Sequence, residues 1–550
     1  MAPLMDDTSP PSIGSAGKKT PRFLIVGAGS RGTAYAAAIV RSNLGIVAAV
    51  AEPIAFKRQV LGSKYVWQTS KSGPEPQQEF EDWKDFVKFE EARRKDALAG
   101  SNVTPGIDAV FVCVKDDLHC QVVTALAPLG LHIMCEKPLA TNLKDILSIQ
   151  STLSKYPQRI FAIGHVLRYS PHNMLLRRLL LGNGHGNLNN HGGAIGEVLS
   201  IEHTEPVGYW HFSHSYVRGQ WRKEKTSAPS LLTKSCHDID FILWLMCTPP
   251  LYRKGYVGKE NVPHLPASIS SVGSLKQFRK SRKPKHAKDA TNCLSCPIQE
   301  SCIYSAKKIY YDRHLAKGIT KWPVDIVNPE IPSILAESGG EAAKEALMNT
   351  LAEDYEIEKT RVEDIESRPW FGRCVWESDN DVCDDQIVTI TWDDDPDTGK
   401  GEKTAVFHMI AQSLAQCERR GRIYGTSGEV EYDSKTITVH DFKTGETTVH
   451  HPEVPVNSHH GGGDDGLTAM FAGAVAAVEY GEMGVQEAQK YYMGCDLEEV
   501  VRSHAVVFAA EKARTSGEVV EWDSWWYEVN SYERMITRVD FSFSQDIFNP

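Results

Sequence analysis

The sequence predicts an α/β domain with a doubly wound parallel sheet, followed by an α+β domain with a large, mostly antiparallel open sheet. Three observations lead to this prediction. Up to about residue 160, short apolar runs alternate with helical segments, which is the pattern of parallel strands joined by crossover helices. Beyond about residue 197, apolar and polar residues alternate with the period of half-buried strands. A chain of 550 residues is also too long for a single hydrophobic core.

The first predicted strand leads directly into a glycine-rich turn. The apolar run 23–26 is followed by Gly27-x-Gly29-x-x-Gly32 and then by helix-forming residues. In this spacing, Gly27 permits the tight turn, Gly29 lets a pyrophosphate approach the backbone, and Gly32 lets the helix pack close to the sheet. Free N–H groups at the helix N-terminus favour the phosphates. The pattern predicts a Rossmann domain over residues 21–160 that binds a dinucleotide.

The second predicted strand ends in a carboxylate that fits the ribose of such a cofactor. The apolar run 45–51 ends in Glu52, twenty residues past Gly32, where an acidic residue accepts hydrogen bonds from the adenosine ribose. An incidental surface glutamate after an ordinary glycine turn is the less favoured alternative. Because a carboxylate repels a 2′-phosphate, NAD is favoured over NADP, although Lys57 and Arg58 keep NADP possible.

Two further strands complete the predicted parallel sheet. The run 107–114 is almost continuously apolar, as expected of a strand buried on both faces, and it leads to Asp116 and His119. The short strand 132–135 stops at Glu136-Lys137-Pro138.

In this order, the glycine turn, the strand 107–114 with His119 after it, and Glu136-Lys137-Pro138 resemble the Gfo/Idh/MocA oxidoreductases, the glucose–fructose oxidoreductase and inositol dehydrogenase family. The resemblance continues through residues 161–165, 196–198, 237–240 and 425–429. It implies cofactor contacts at the glycine turn and at the strand ends. These contacts are Gly27, Gly29, Ser30, Arg31, Gly32, Glu52, Val114, Asp116, His119, Glu136 and Lys137.

The remaining chain divides by composition. Residues 1–20 are rich in Pro, Ser and Gly and are expected to form a disordered leader. Residues 161–257 and 370–522 form the predicted α+β domain, and residues 258–369 interrupt it as an insertion, named here the middle insertion. Residues 523–550 form a C-terminal tail. The resemblance implies that the open sheet pairs subunits, so a homo-oligomer, a dimer or tetramer, is expected.

Bulk properties exclude several classes of partner. A net charge of −11 argues against a nucleic acid. No apolar run is long enough to span a membrane. Twelve cysteines without a secretory signal indicate reduced thiols and a cytoplasmic protein.

Lys137 is the first catalytic candidate. It lies at the carboxyl edge of the predicted sheet, where doubly wound folds bind their ligands, and Pro138 fixes the backbone after it. An amine in this position can exchange a proton with a substrate hydroxyl. On the residues alone, a lysine that caps the strand and pairs with Glu136 is about as good an explanation. The resemblance favours catalysis, because the family uses this lysine in substrate binding and proton transfer.

His237 is the second candidate, on a helix predicted around residues 231–240. Polyol dehydrogenases of the family place an aspartate four residues earlier, one turn away on the same face, but here that position is Thr233. Threonine cannot supply the charge, so a His–Asp relay is in doubt. His237 remains the predicted acid/base or substrate-binding residue, with Lys234 as an auxiliary on the same face. A histidine bonded to structure at a domain interface is the competing interpretation.

Other side chains suit a sugar or a carboxylate. Trp221 offers a stacking surface and Arg222 a guanidinium, and Arg168 follows a predicted strand end near the cofactor. Aspartates in the glycine-rich loop 459–465 are expected to cap a helix that borders the pocket.

Three cysteines in the middle insertion have a spacing that suits a metal. Cys293-x-x-Cys296 with Cys302 is half of a tetrahedral site. A structural zinc is favoured, with an iron–sulfur centre or three reduced thiols as alternatives.

The sequence therefore predicts an NAD(P)-dependent oxidoreductase that transfers hydride to or from a hydroxyl carbon of a sugar, cyclitol or related polyol. Two alternatives stay open. One is a glycosidase of the same family that uses NAD transiently, and the other is a dinucleotide-binding regulator without catalysis.

Overall fold

The computed structural model describes residues 20–67, 73–181, 193–247, 262–455 and 460–531. Its N-terminal part is a parallel sheet in the order β3-β2-β1-β4-β5-β6. The strands are β1 Arg22–Val26, β2 Ile46–Ala51, β3 Glu79–Phe80, β4 Ala109–Val112, β5 His132–Cys135 and β6 Phe161–Ile163. The helices around this sheet are α1 Ser30–Ser42, α2 Ala55–Tyr65, α3 Trp83–Leu98, α4 His119–Leu126 and α5 Leu143–Leu153.

Both faces of the parallel sheet are covered, which explains why its strands are so uniformly apolar. Alternate residues of β1 enter opposite cores: Phe23 and Ile25 pack in one cluster, Leu24 and Val26 in the other. All four side chains are almost completely buried. The predicted Rossmann domain is confirmed.

The second sheet has nine strands in the order β14-β13-β12-β11-β7-β10-β9-β8-β15. They are β7 Val198–Pro206, β8 Ser268–Ser274, β9 Asp385–Trp392, β10 Lys403–Ile410, β11 Arg420–Gly425, β12 Gly428–Tyr432, β13 Ile437–Asp441, β14 Thr447–His450 and β15 Val520–Glu521. Every pairing is antiparallel except that of β7 with β10. The predicted large, mostly antiparallel sheet is confirmed.

The remaining helices pack around this sheet and between the two domains. They are α6 Pro171–Leu181, α7 Tyr209–Phe212, α8 Ser230–Thr233, α9 Cys236–Met246, α10 Val324–Val327, α11 Ile331–Ala352, α12 Val362–Glu366, α13 Gly463–Glu479, α14 Val485–Ala488 and α15 Leu497–Ser516. None of these described helices combines the length and apolarity needed to cross a bilayer.

One face of the large sheet is covered and the other is open. Residues of β9 and β10 alternate between buried and half-buried, and α9 and α15 pack on the buried side. Helix α13 returns to the Rossmann domain, where Phe471 packs edge-on against Phe111. The C-terminal helices therefore join the two domains and fix the cleft between them.

Part of the predicted middle insertion belongs to the sheet. Strand β8 lies within 258–369, yet it pairs along its length with β9. Its sequence, SISSVGS, is rich in serine and lacks strong apolar alternation, which is why the sequence did not reveal it. The rest of the insertion encloses a small core of its own around Ile309, Tyr310 and Leu347. Residues 1–19, 248–261 and 532–550 lie outside the described part, so the predicted leader and most of the predicted tail are not described.

Candidate active site

The turn between β1 and α1 has the geometry that a bound pyrophosphate requires. Gly27 has φ +97°, and a Cβ there would lie 2.4 Å from the Cys113 carbonyl oxygen. A Cβ on Gly32 would lie 1.9 Å from the Gly27 oxygen, so α1 could not pack as closely. Around Gly29, by contrast, no atom lies within 4 Å of a built Cβ. The turn is thus tight on its inner side and open at Gly29, where a phosphate would approach. Ser30, the first residue of α1, lies at this helix N-terminus.

Glu52 is buried at the end of β2 and faces this turn. One carboxylate oxygen accepts from the Ala28 N–H at 2.8 Å and the other from the Ile54 N–H at 2.9 Å. Each oxygen keeps a second lone pair for a ribose hydroxyl. Arg58 donates to the Glu52 carbonyl at 2.6 Å and pairs with Glu79 at 3.4 Å.

A network of charges links the glycine turn to the second domain. Arg31 donates to Glu136 at 2.7 Å and to both oxygens of Asp464 at 3.0 and 2.9 Å. Asp464 lies in the first turn of α13 and also contacts His460 at 3.2 Å. Burial would raise the pKa of Asp464, but His460 and Arg31 outweigh it and hold the pKa well below its usual value. The expectation that an aspartate of this loop caps α13 is wrong, because Gly462 is the N-cap residue and Asp464 lies inside the first turn; His459 lies outside the described residues.

The end of β4 carries the next group of predicted cofactor contacts, with Val114 half-buried beside it. Asp116 accepts from the indole N–H of Trp221 at 2.8 Å, which joins the two domains directly. Burial raises the pKa of Asp116, partly opposed by His119 and by the Trp221 hydrogen bond. His119 is fully buried, with Nδ1 2.7 Å from the Pro138 oxygen, and its Nε2 has no hydrogen-bond partner among the residues that the structure describes.

Lys137 follows β5 and extends into the cleft between the domains. Its ammonium donates to the Thr233 carbonyl at 2.8 Å. The neighbouring Glu136 is occupied by Arg31, by Tyr35 at 2.5 Å and by the Lys137 backbone N–H at 3.0 Å. Within the described residues, Lys137 therefore has no carboxylate at ion-pair distance, although a pair with Glu136 was one interpretation of the sequence.

His237 lies in the first turn of α9, close to Lys137. The side chain is buried, and its Nδ1 has no hydrogen-bond partner within the described residues. Burial lowers the pKa of His237 well below its usual value, and the charges of Lys137 and Arg419 lower it further. The imidazole is therefore neutral and able to accept a proton. Its ring centroid lies 6.3 Å from that of His165 and 6.3 Å from that of His460.

The continuous helix predicted over 231–240 is wrong. Helix α8 ends at Thr233, and α9 begins at Cys236. The break falls at Lys234 and Ser235, and Thr233 donates to the Pro229 oxygen at 3.3 Å within the first helical turn. Thr233 accepts the hydrogen bond of Lys137 through its backbone carbonyl. The aspartate that polyol dehydrogenases of the family have at this position was expected to act through its side chain.

Lys234 lies in a buried charge cluster. It pairs with Glu205 at 3.0 Å and lies 3.0 Å from the Cys417 sulfur. Glu205 is fully buried and also lies 3.2 Å from Arg419, which pairs with Asp238 at 2.5 Å. Burial alone would lower the pKa of Lys234, but Cys417 and Glu205 outweigh it and raise the pKa.

Two predicted substrate-binding arginines are also held in buried pairs. Arg168 donates to both oxygens of Asp240 at 2.7 and 2.8 Å. Arg222 donates to Asp379 at 2.7 Å and to the Ile365 carbonyl at 2.6 Å. Both side chains are almost completely buried, so their guanidinium groups support the fold around the cleft. Among the predicted substrate-binding residues, Trp221 donates a hydrogen bond to Asp116, which is a predicted cofactor contact.

The three cysteines of the insertion do not form a metal site. Within the described residues, no group of three or more His, Cys, Asp or Glu side chains is placed to hold a metal ion, so the expected zinc is not supported. Cys293, Cys296 and Cys302 line a small cavity together with Cys374. The guanidinium of Arg218 donates to the Cys293 sulfur at 3.3 Å and to the Tyr304 carbonyl at 2.7 Å.

Four residues at the cleft were not predicted as site residues. Glu205, Cys417 and Arg419 come from β7 and from the segment before β11, and His211 lies 3.3 Å from the Cys417 sulfur. Their spacing in the sequence carries no motif, because only the pairing of β7 with β11 brings them together.

A parallel doubly wound sheet with a glycine turn, a buried glutamate at the end of its second strand and a lysine at the sheet's carboxyl edge is typical of a dinucleotide-binding domain. Residues 21–165 match the model of the Gfo/Idh/MocA oxidoreductase family, described as the NAD-binding Rossmann fold. Residues 21–165 therefore match the NAD-binding domain of this family.

The curated relatives match over the same region. An inositol 2-dehydrogenase of Corynebacterium glutamicum is 29% identical over 157 residues, 28% of this chain and 38% of the relative. The inositol 2-dehydrogenase/D-chiro-inositol 3-dehydrogenase of Lactiplantibacillus plantarum is 22% identical over 142 residues, 26% of this chain and 35% of the relative. The chain thus spans about a third of the length of the curated relatives it matches.

Solved structures resemble the whole described fold. Levoglucosan dehydrogenase in complex with NADH and levoglucosan has a TM-score of 0.53 at 12% identity, covering 92% of this chain and 100% of that one. An inositol dehydrogenase homologue complexed with NAD+, from Azotobacter vinelandii, also has a TM-score of 0.53, at 15% identity, covering 92% and 98%. At these identities the likeness shows the shared fold.

Proposed function

We propose that the protein is an NAD-dependent oxidoreductase that transfers hydride between the nicotinamide and a hydroxyl-bearing carbon of a sugar, cyclitol or related polyol. One observation carries this proposal. The ammonium of Lys137 lies at the carboxyl edge of the parallel sheet without a carboxylate partner within the described residues, close to a buried, neutral His237. Both groups have capacity for a substrate hydroxyl, whereas the charged residues around them are already paired.

The residues at the glycine turn fit the dinucleotide. The open space at Gly29 and the N-terminus of α1 would hold the pyrophosphate, and Glu52 would accept the ribose hydroxyls. We infer a preference for NAD over NADP, because Glu52 presents negative charge where a 2′-phosphate would lie. The bonds of Arg58 to the Glu52 carbonyl and to Glu79 support the same choice, since they hold this guanidinium away from a phosphate.

When bound, the nicotinamide supplies the hydride acceptor. In the direction of oxidation, Lys137 donates a hydrogen bond to the substrate hydroxyl and orients it. His237 is placed to accept the hydroxyl proton, because its imidazole is neutral and its Nδ1 has no hydrogen-bond partner within the described residues. The Thr233 carbonyl fixes the lysine amine through its hydrogen bond. Trp221, anchored by Asp116, would cover one side of the substrate.

A polyol, sugar and sugar-acid screen with NAD and NADP tests the proposal. We expect NADH absorbance to accumulate with at least one neutral polyol or sugar, and the Lys137→Ala variant to lose this activity while still binding NADH. Release of product without net NADH would instead indicate a glycosidase. NADH binding without turnover on any compound, in wild type as well as variant, would contradict an enzymatic function.

We also propose that the protein forms a homo-oligomer, a dimer or tetramer, through the open face of the nine-stranded sheet. Apolar side chains on the strands and turns of this sheet remain exposed, among them Val272 and Phe442, at 68% and 62%. Val272 lies on β8 and Phe442 just after β13, towards opposite ends of the nine-stranded sheet. A cytoplasmic location is proposed as well, since all twelve cysteines are free thiols.

A further inference from the structure

Three aromatic rings that the proposed reaction does not use lie together at the edge of the cleft. The ring centroid of Trp322 is 5.3 Å from that of Trp210, in a tilted arrangement. It is 4.9 Å from that of His211, which it meets edge to face. All three side chains are half-buried. Tryptophans in a finished core are usually covered, so this cluster, named here the aromatic wall, keeps apolar surface in contact with solvent.

The aromatic wall combines two separate parts of the chain. Trp210 and His211 belong to α7, which directly follows the sheet strand β7. Trp322 comes from the middle insertion, just before α10. Trp210 also packs against the core of the insertion and lies 5.1 Å from the ring of His314. The insertion therefore supplies one of the three rings and supports a second.

A chain of short contacts joins the wall to the proposed reaction centre. His211 lies 3.3 Å from the Cys417 sulfur, and this sulfur lies 3.0 Å from the ammonium of Lys234. The preceding residue, Thr233, accepts the hydrogen bond from Lys137. The charges of Lys234, His460 and Lys137 all contribute to lowering the pKa of His211, after burial as the largest cause. The wall thus borders the pocket that holds Lys137, one layer of side chains away.

The insertion also faces the Rossmann domain across the cleft. Burial raises the pKa of Asp325, three residues after Trp322, and Lys57 of α2 is among the charges that oppose this rise. The segment that carries Trp322 therefore lies between the two domains, where a substrate longer than a single ring would extend.

We propose that Trp322, Trp210 and His211 form a second sugar subsite, so that the substrate is a disaccharide or similar glycoside whose second ring stacks on the aromatic wall. This inference rests on the proposed function, which places the oxidised ring at Lys137 and His237. Flat aromatic faces with a few polar groups beside them are the usual lining of pockets for rings that have apolar faces and polar edges. The polar edge here is the imidazole of His211, held in place by Cys417.

The test compares substrates of two lengths in three variants. Wild type, Trp322→Ala and Trp322→Phe are assayed with NAD on maltose, cellobiose and lactose, and on glucose and galactose. We expect Trp322→Ala to lower the ratio of kcat/KM for a disaccharide over that for its monosaccharide about tenfold, which matches the loss of one stacking contact. Trp322→Phe, which keeps an aromatic face, should recover most of this ratio. Trp83→Ala, at a half-buried tryptophan on α3, is the matched control and should leave the ratio as in wild type.

Calorimetry of the same disaccharides with the NADH-loaded protein tests the subsite without turnover. A disaccharide Kd about tenfold weaker in Trp322→Ala than in wild type supports the subsite, even where no sugar is oxidised. The lack of oxidation would count against the proposed function alone. An unchanged ratio and unchanged disaccharide Kd in Trp322→Ala would overturn the subsite and leave the oxidoreductase proposal intact. A Trp322→Ala variant that binds NADH more weakly, with the sugar ratio unchanged, would assign the wall to the cofactor and overturn the sugar subsite as well.

Discussion

Two sets of polar side chains meet between the domains, and they differ in whether an oppositely charged side chain lies beside them. Lys137 and His237 have no charged partner within ion-pair distance in the described residues. Lys234 and Arg168, a short distance away, are each paired with a buried carboxylate. All four were predicted from the sequence as site residues. Residue type and sequence position thus identify a candidate functional side chain, but its partner in the folded protein determines whether that side chain is available to a ligand.

The difference follows from the cost of burying charge. A buried ion that loses its partner destabilises the fold by several kcal/mol, so a paired lysine or arginine is not free to turn toward a substrate. An amine bonded to one neutral carbonyl, as in Lys137, can exchange that bond for a substrate hydroxyl at little cost. Substitution of Lys137 or His237 should therefore lower activity more than stability, and substitution of Lys234 or Arg168 should lower stability more than activity.

The largest effect is expected at Lys137. Lys137→Ala should reduce kcat/KM about 10²–10³-fold, the usual range for loss of a hydrogen-bond donor at the reacting oxygen. Its free energy of unfolding should change by less than about 1 kcal/mol, because the lost bond joins a half-exposed amine to a carbonyl. Steady-state kinetics and denaturant unfolding of the same preparation measure both quantities.

Lys234→Met is the matched comparison. Glu205 would keep only Arg419, so the unfolding free energy should fall by about 1–3 kcal/mol, with a smaller loss of kcat/KM than in Lys137→Ala. If Lys234→Met instead lost as much activity as Lys137→Ala at wild-type stability, the distinction between the two sets would be wrong.

The second prediction concerns Arg168 and Asp240. Arg168→Gln leaves the Asp240 carboxylate buried without its charged partner, and should lower the unfolding free energy by about 3–5 kcal/mol. Arg168 holds the pKa of Asp240 at about 2 against the opposing effect of burial. The stability from this pair is therefore present above pH 4 and is lost as pH falls toward 2. Urea unfolding at pH 7 measures the effect, and adding Asp240→Asn should restore part of it.

Much of the fold could be predicted because local patterns determine it. The apolar runs of the parallel sheet and the glycine turn each require a few adjacent residues, and the structure has them where the sequence places them. Strand β8 escaped prediction because its serine-rich sequence gains its place only from pairing with β9. Similarly, Arg168 pairs with Asp240 and Lys234 pairs with Glu205, and in both pairs the two residues are far apart in the sequence. A motif can name Lys234, but it cannot show which carboxylate folds against it.

The third prediction tests the ribose end of the cleft. Glu52→Gln removes the negative charge and keeps one acceptor oxygen for the Ala28 N–H, while the bond from the Ile54 N–H is lost. We expect NADH to bind about tenfold more weakly and the preference for NAD over NADP to narrow by a similar factor, the equivalent of one charged hydrogen bond. Fluorescence titration with both reduced cofactors measures these values. Glu79→Gln, at the other partner of Arg58, is the control, and an equal change in both variants would assign the effect to Arg58.

The smallest predicted effect extends the comparison to three buried histidines, which burial keeps neutral even though Asp240 lies 3.8 Å from His165. Burial lowers the pKa of His165 to about 3, and it lowers those of His214 and His504 to about 3 and about 4. In the unfolded chain their pKa is about 6.5. Their folded form therefore has its full stability above pH 6.5 and loses it progressively as pH falls toward 3, because only the unfolded chain takes up the protons. Between pH 7.5 and pH 6, each histidine should account for a loss of about 0.8 kcal/mol. The His165→Gln variant should show a pH dependence of unfolding that is shallower by one histidine, whatever its stability at pH 7.5. An unchanged slope would mean that His165 is protonated in the folded protein, in which case it would belong with the charged pairs, beside Asp240.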